Sequence, residues 1–175
     1  MKRSFMFDLN TRSPNRDNNM NKVDINAAGI LEPSWKRCAG NFAMKVLDEI
    51  KRENWELSIL LCDDKTIAEL NSRYRNRAEA TDVLSFNLGE TVREGKKTIF
   101  LPGDIVISLD TMRKNARYFK TTEDEELRRL LIHGILHLDG MDHKTNDRNE
   151  PMLELQEEIL NRLKDERIIK RGGEK

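Results

Sequence analysis

The segment Thr122–His143, TEDEELRRLLIHGILHLDGMDH, constrains this chain more than any other. Thr122 followed three residues later by Glu125 spells a capping box, the signature of a helix start. From Leu130 to Leu138 nearly every residue is apolar except His133 and His137. A helix apolar on most sides has to be buried. All three histidines of the 175-residue chain fall within positions 133–143. Imidazoles four residues apart project from one helix face, one turn above the other, and can grip a single ion. Gly140 then ends the helix, because glycine accepts the left-handed conformation at low cost, and the turn swings His143 back as a third ligand. Three neutral nitrogens suit one zinc ion per chain and leave the fourth tetrahedral position open.

A structural zinc site needs a fourth protein ligand, and the nearest candidates are Asp139 and Asp142. The spacing H-x3-H-x2-G-x2-H also matches the extended zinc motif of metzincin proteases, glycine included. Those proteases carry glutamate directly after the first histidine as general base; here that residue is Gly134. A helical glycine costs about 1 kcal/mol against alanine, so close packing or room for substrate must demand it. The pattern therefore predicts a zincin-like fold without protease chemistry.

The rest of the chain supplies a domain around this helix. NKVDINAAG and WELSILLC read as strands, the second buried. Pro33 opens a helix with Trp35, Cys38, Phe42, Val46 and Ile50 on its apolar face. Asp63 and Asp64 can cap the next helix, which carries Ile67, Leu70 and Tyr74. TDVLSF and GDIVIS are short β-like runs, and NLGETVREGKKT between them reads as a polar loop. A helix from Leu109 to Phe119 precedes the histidine helix. Pro151 starts a last one that buries Leu153, Ile159 and Leu163. Strands alternating with helices, then helices alone, predict an α+β architecture: a zincin-like fold with a small mixed β-sheet packed against helices and a central metal-binding helix. Residues 1–21 read as a disordered lead, 22–167 as the domain and 168–175 as a flexible C-terminal tail.

Lysine plus arginine and aspartate plus glutamate are equal at 31 each, so net charge names no partner and any nucleic-acid surface must come from local clusters. No apolar run approaches a membrane span. Cys38 and Cys62 fall on apolar faces and read as free thiols of a reducing compartment, which makes the protein an expected cytoplasmic one. Arg73, Arg75 and Arg77 cluster where the second helix should end. Arginine offers a rigid fork for phosphate oxygens, against the plainer reading of a solvated surface.

Three ordered motifs over residues 22–165 resemble the YbeY family. LNSRYRNRAEATDVLSF is similar to that family's arginine-containing segment, GDIVIS to its middle strand, and HGILHLDGMDH to its histidine signature. Ala80 and Asn87 stand where the family usually has prolines, and Asp139 where leucine or alanine is common. The resemblance implies a zinc-dependent, single-strand-specific endoribonuclease. Its expected role is maturation of small-subunit ribosomal RNA at the 3′ end, together with ribosome quality control. It implies His133, His137 and His143 as metal ligands, and Arg75 and His133 as catalytic residues. Arg73 and Arg77 are the expected substrate-binding residues. Expected partners are ribosomal RNA and ribosome or small-subunit assembly proteins, with no membrane and no DNA. The residues alone leave two other functions open: a zinc hydrolase of peptides or small phosphoesters, and a non-catalytic ribosome-assembly factor with structural zinc.

Overall fold

The computed structural model describes residues 21–170. The expected lead, apart from Asn21, and residues 171–175 of the expected tail lie outside them. Along the described residues the chain runs β1 (Lys22–Ala28), α1 (Lys36–Glu49), β2 (Glu56–Cys62), α2 (Asp64–Arg75), β3 (Val83–Glu94), β4 (Lys97–Ser108), α3 (Leu109–Tyr118), α4 (Glu123–Leu138) and α5 (Pro151–Arg162). The four strands form one mixed sheet in the order β1-β2-β4-β3. β1, β2 and β4 are parallel, and β3 returns antiparallel along β4 as the edge strand.

A strand covered on both faces needs apolar residues at every position, not alternate ones. β2 meets that demand: Leu57, Ile59 and Leu61 enter one core while Leu60 and Cys62 enter another. β4 divides in the same way, with Ile105 and Ile107 on one face and Val106 on the other. The larger core lies between the sheet and α1, α4 and α5; the smaller one holds Ile67 of α2. Each fully buried Leu or Ile contributes roughly 1.5–3 kcal/mol, so the larger core dominates stability.

Three local expectations change. The helix expected to open at Pro33 starts at Lys36; Pro33 forms the preceding turn, its carbonyl accepting from the Lys36 N–H (3.0 Å). Asp63 alone caps α2, accepting from the Thr66 N–H at 2.8 Å. Asp64 instead accepts from Ser108 and Thr111 hydroxyls and the Lys114 ammonium, all at 2.6 Å, tying α2 to α3. Burial opposes ionisation of Asp64, but those donors hold its carboxyl down at about 2.

The stretch NLGETVREGKKT, expected as a loop, is the outer half of the β3–β4 hairpin. Thr91 faces Phe100, Val92 faces Ile99 and Arg93 faces Thr98, pairs suited to a ladder. Gly95, at φ 62°, supplies the positive φ that a tight hairpin turn needs. The arm is mostly exposed, so no buried face imposes the alternation by which strands are read from sequence.

The packed chain also continues past residue 167, where the domain was expected to end. Ile168 is buried, and the N–H groups of Ile168 and Ile169 donate to Asp124 Oδ1 at 2.7 and 2.8 Å. Asp124 Oδ2 accepts from Arg128 Nε (3.0 Å), and both side chains are only 5% exposed. At the other end, Asn21 accepts from the Trp55 N–H and donates to the Arg52 carbonyl, so it too belongs to the packed chain.

Asp124→Ala should therefore strand Arg128 as a buried unpaired charge and release two backbone donors. The expected loss is about 3–5 kcal/mol, read from urea unfolding. A loss comparable to that of an exposed substitution would show that the C-terminal segment is not held through this carboxylate.

Candidate metal centre

The histidine helix reaches the sheet because residue 134 has no side chain. A Cβ built on Gly134 would lie 2.9 Å from two methyl carbons of Ile105, a fully buried β4 residue with nowhere to swing. Glycine is demanded here by packing. The same observation excludes a metzincin-type base at this position, since a glutamate would be driven into β4.

Thr122 caps α4 by accepting from the Glu125 N–H (3.1 Å), while the Glu125 carboxylate reaches forward to Arg129. One face of α4 then presents His133 and His137. The chain turns through Asp139 and Gly140 (φ 89°) and returns His143 to them. Ring centroids are 4.6 Å apart for His133–His137, 5.1 Å for His133–His143 and 5.4 Å for His137–His143. One ligand atom from each lies within 4.8 Å of the others, a grouping that could hold a metal ion.

Hydrogen bonding fixes which atoms those are. His133 Nδ1 faces Gln156 Oε1 at 2.9 Å, His137 Nδ1 faces the Met141 carbonyl at 3.1 Å, and His143 Nδ1 faces the Thr145 carbonyl at 2.8 Å. Carbonyl oxygens only accept, so each Nδ1 carries the proton and each Nε2 keeps its lone pair. His133 Nε2 and His137 Nε2 then face one another at 3.0 Å, a lone-pair repulsion that a cation between them relieves. Tetrahedral zinc–nitrogen bonds place ligand nitrogens about 3.3 Å apart, so the pair needs little adjustment.

Burial chiefly holds His133 below its ordinary value; the Gln156 hydrogen bond opposes it, and the two neighbouring histidines add to it. His137 is lowered for the same main reason, against its bond to Met141, with further contributions from His143 and Arg75. Both are neutral donors at neutral pH.

Neither aspartate considered as a fourth ligand joins the cluster found among the described residues. Asp139 is clamped by Arg52 (Nε–Oδ1 2.6 Å, Nη2–Oδ2 3.2 Å), and Asp142 accepts from the His143 N–H at 2.9 Å. Asp139, the departure from the resembled pattern, thus anchors the turn that carries His143.

Arg75 is the last residue of α2, and Asn76 beyond it closes the helix in the left-handed conformation (φ 56°). Its Nη2 donates to the Ser85 carbonyl on β3 at 3.3 Å. The Ser85 hydroxyl lies 3.5 Å from the Gly134 carbonyl, and Asn87 Nδ2 lies 3.4 Å from the His137 carbonyl. The edge strand therefore joins α2 to α4, and Arg75 comes close enough to His137 to help depress its pKa. Arg73 and Arg77 are exposed at the same helix end, with no described contact to the histidines.

Sequence reading missed Gln156. It is buried within a face formed by Met152, Ile159 and Leu160, where Leu153, half-buried, had been expected. A polar residue at helical spacing among apolar ones was the available signal. Asp82 was passed over too; it lies near enough to His133 to act on its charge and accepts from Asn115 at 3.0 Å.

A profile of the Endoribonuclease YbeY family matches residues 19–164. An Endoribonuclease YbeY from Treponema denticola is 47% identical over 131 residues, 74% of this chain and 84% of that one. The Treponema pallidum protein of that name is 45% identical, covering 81% of this chain and 89% of its own. One from Borrelia turicatae is 43% identical, covering 81% and 95%. The solution structure of TM1509 from Thermotoga maritima superposes with a TM-score of 0.56 at 26% identity, covering 89% of this chain and all of the other.

The metal-free protein should lose stability in mild acid. His133 and His137 sit below 6.5 when folded, so the unfolded chain binds more protons as pH falls through that value. Their contribution is fully present above the unfolded value and declines toward the depressed folded values. Urea midpoints between pH about 7.5 and 5.5 should fall more steeply for the parent than for a His133→Gln/His137→Gln double variant; equal slopes would count against burial as the cause. Gly134→Glu should lower the unfolding free energy, read from urea unfolding, by more than about 1 kcal/mol and yield no peptide hydrolysis. Robust peptidase activity would mean that β4 yields to the new side chain.

Proposed function

This chain belongs to the endoribonuclease YbeY family, and we propose that it cleaves single-stranded ribosomal RNA by metal-dependent hydrolysis at His133, His137 and His143. One observation carries the reading: one ring nitrogen from each of three histidines lies within 4.8 Å of the others, and the Nδ1 of each ring faces a carbonyl acceptor. Imidazole donors and a three-residue set favour one zinc ion with a position left for a non-protein ligand.

A bound divalent ion supplies Lewis acidity, drawing the pKa of an attacking water toward neutrality and polarising a phosphoryl oxygen. The chain does the rest. His133 and His137 stay neutral through burial, so protons do not compete for their donor atoms. Arg75, anchored on Ser85, is assigned the scissile phosphate, where its fork can hold two oxygens at once. Arg73 and Arg77 are assigned the flanking phosphates. An unpaired backbone can bend across the β3 edge between Arg75 and the histidines, which favours single-stranded substrate.

We extend the proposal to a zincin-like fold with α4 as its central metal-binding helix. Two ligands one turn apart and a third after a glycine turn support that extension. The peptidase alternative lacks both a base and the space for one at Gly134. The structural-zinc alternative lacks a fourth protein ligand among the described residues. Processing of the small-subunit RNA 3′ end, ribosome quality control, association with ribosome-assembly proteins and a cytoplasmic setting complete the proposal. Among the described residues no helix is long and apolar enough to cross a membrane.

The test is incubation of purified protein with ribosomal RNA, with and without chelator, and mapping of new ends. Cleavage should vanish on chelation. His133→Ala, His137→Ala and His143→Ala should each lose zinc and activity together. Arg75→Ala should keep its zinc and lose on the order of 100-fold in single-turnover rate, with Arg75→Lys little better. A zinc-loaded Arg75→Ala protein cutting at the parent rate would return Arg75 to the solvated surface.

A further inference from the structure

His133 differs from the other two histidines in what holds it. His137 and His143 bond to backbone carbonyls, whose polarity cannot reverse. His133 bonds to a side-chain amide, which can present either oxygen or nitrogen. Were Gln156 to turn its NH2 toward His133, Nδ1 would become an acceptor and the ring proton would move to Nε2, closing the metal-facing atom. Something has to set the amide.

Gln156 Nε2 donates to Glu157 Oε1 at 3.0 Å. Glu157 is gripped by Arg129 through Nε–Oε1 at 2.9 Å and Nη2–Oε2 at 3.4 Å. Arg129 also binds Glu125 (3.0 Å) and Glu126 (3.1 Å) and stands one helical turn before His133. The bonds make a closed circuit from α4 across to α5 and back to α4. Burial works against ionisation of Glu157, but Arg129 and Gln156 together keep its carboxyl below the usual value, so it accepts and does not donate.

Resting on the metal reading above, we propose that Gln156 is a positioning residue for His133, its amide locked oxygen-inward by Glu157 and Arg129. The lock fixes the Nδ1-protonated tautomer and keeps Nε2 available to the ion before the ion arrives. Gln156 is only 6% exposed, and a buried amide on an otherwise apolar helix face is expensive unless both its ends are used. Here both are used.

The test has two arms on the full chain. In metal-free protein, 15N NMR of the His133 ring reads the tautomer. Zinc affinity is read by competition with a chelating indicator. Gln156→Leu should leave His133 in mixed tautomers and weaken zinc binding on the order of 10–100-fold. Gln156→Glu, which restores an acceptor, should recover both. Glu157→Leu changes a half-exposed site and so guards against misfolding of the first variant. It frees the amide to turn and should mix the tautomers with a smaller loss of affinity. An unchanged His133 tautomer in Gln156→Leu, or in Glu157→Leu if the former does not fold, would overturn the proposal. The tautomer arm decides it without metal, whereas failure of the parent chain to take up zinc would defeat the metal reading instead.

Discussion

Contact between α4 and β4 at Gly134 governs the rest of this molecule. With Ile105 within 2.9 Å of where a Cβ would stand, the helix backbone lies as close to the sheet as atoms allow. That approach buries α4 and lowers the pKa of His133. It also places the edge strand β3 against the helix, so that Ser85 reaches the Gly134 carbonyl and Asn87 the His137 carbonyl. A larger residue at 134 would loosen all of these together, because interiors are close-packed and transmit displacement.

The proposed function places two electrostatic demands on the site that usually conflict. Metal ligands must be unprotonated, whereas a phosphate-bearing substrate needs positive charge nearby. Burial holds His133 and His137 below their ordinary pKa, and Arg75 brings a cation near His137 from a separate element. Its charge also disfavours protonation of His137, so the two demands reinforce one another. Two acidic residues near the cluster are occupied elsewhere, Asp139 by Arg52 and Asp82 by Asn115 and Thr81, while the exposed Asp142 carboxylate lies 3.8 Å from His137 Nδ1.

Much of the stiffness comes from α5 and the segment after it. α5 brings Gln156 to the back of His133, and the chain beyond returns to Asp124 at the start of α4. The histidine helix is thereby held at its first turn by the C-terminal segment and near its middle by α5. At its last turn the Arg52–Asp139 pair holds it. Rigid support of this kind is what allows three ring nitrogens to converge before a ligand orders them.

The histidine cluster was legible in the sequence because its determinants are local. An i, i+4 pair on an apolar helix and a glycine turn fix three side chains within eleven positions, whatever the rest of the fold does. The cap at Thr122 and the buried strand β2 were legible for the same reason, since period and capping are properties of neighbouring residues. Three things belonged to the tertiary structure alone. The β3–β4 arm pairs through its backbone, which leaves no hydrophobic period when both faces are exposed. Gly134 could be read as packing or as room for substrate until Ile105 stood against it. The place of Arg75 beside His137 and of Gln156 behind His133 depends on crossings between elements far apart in the chain. Local sequence decides which atoms can act, but distances between elements are set by how whole faces pack, and no short stretch of residues contains that information.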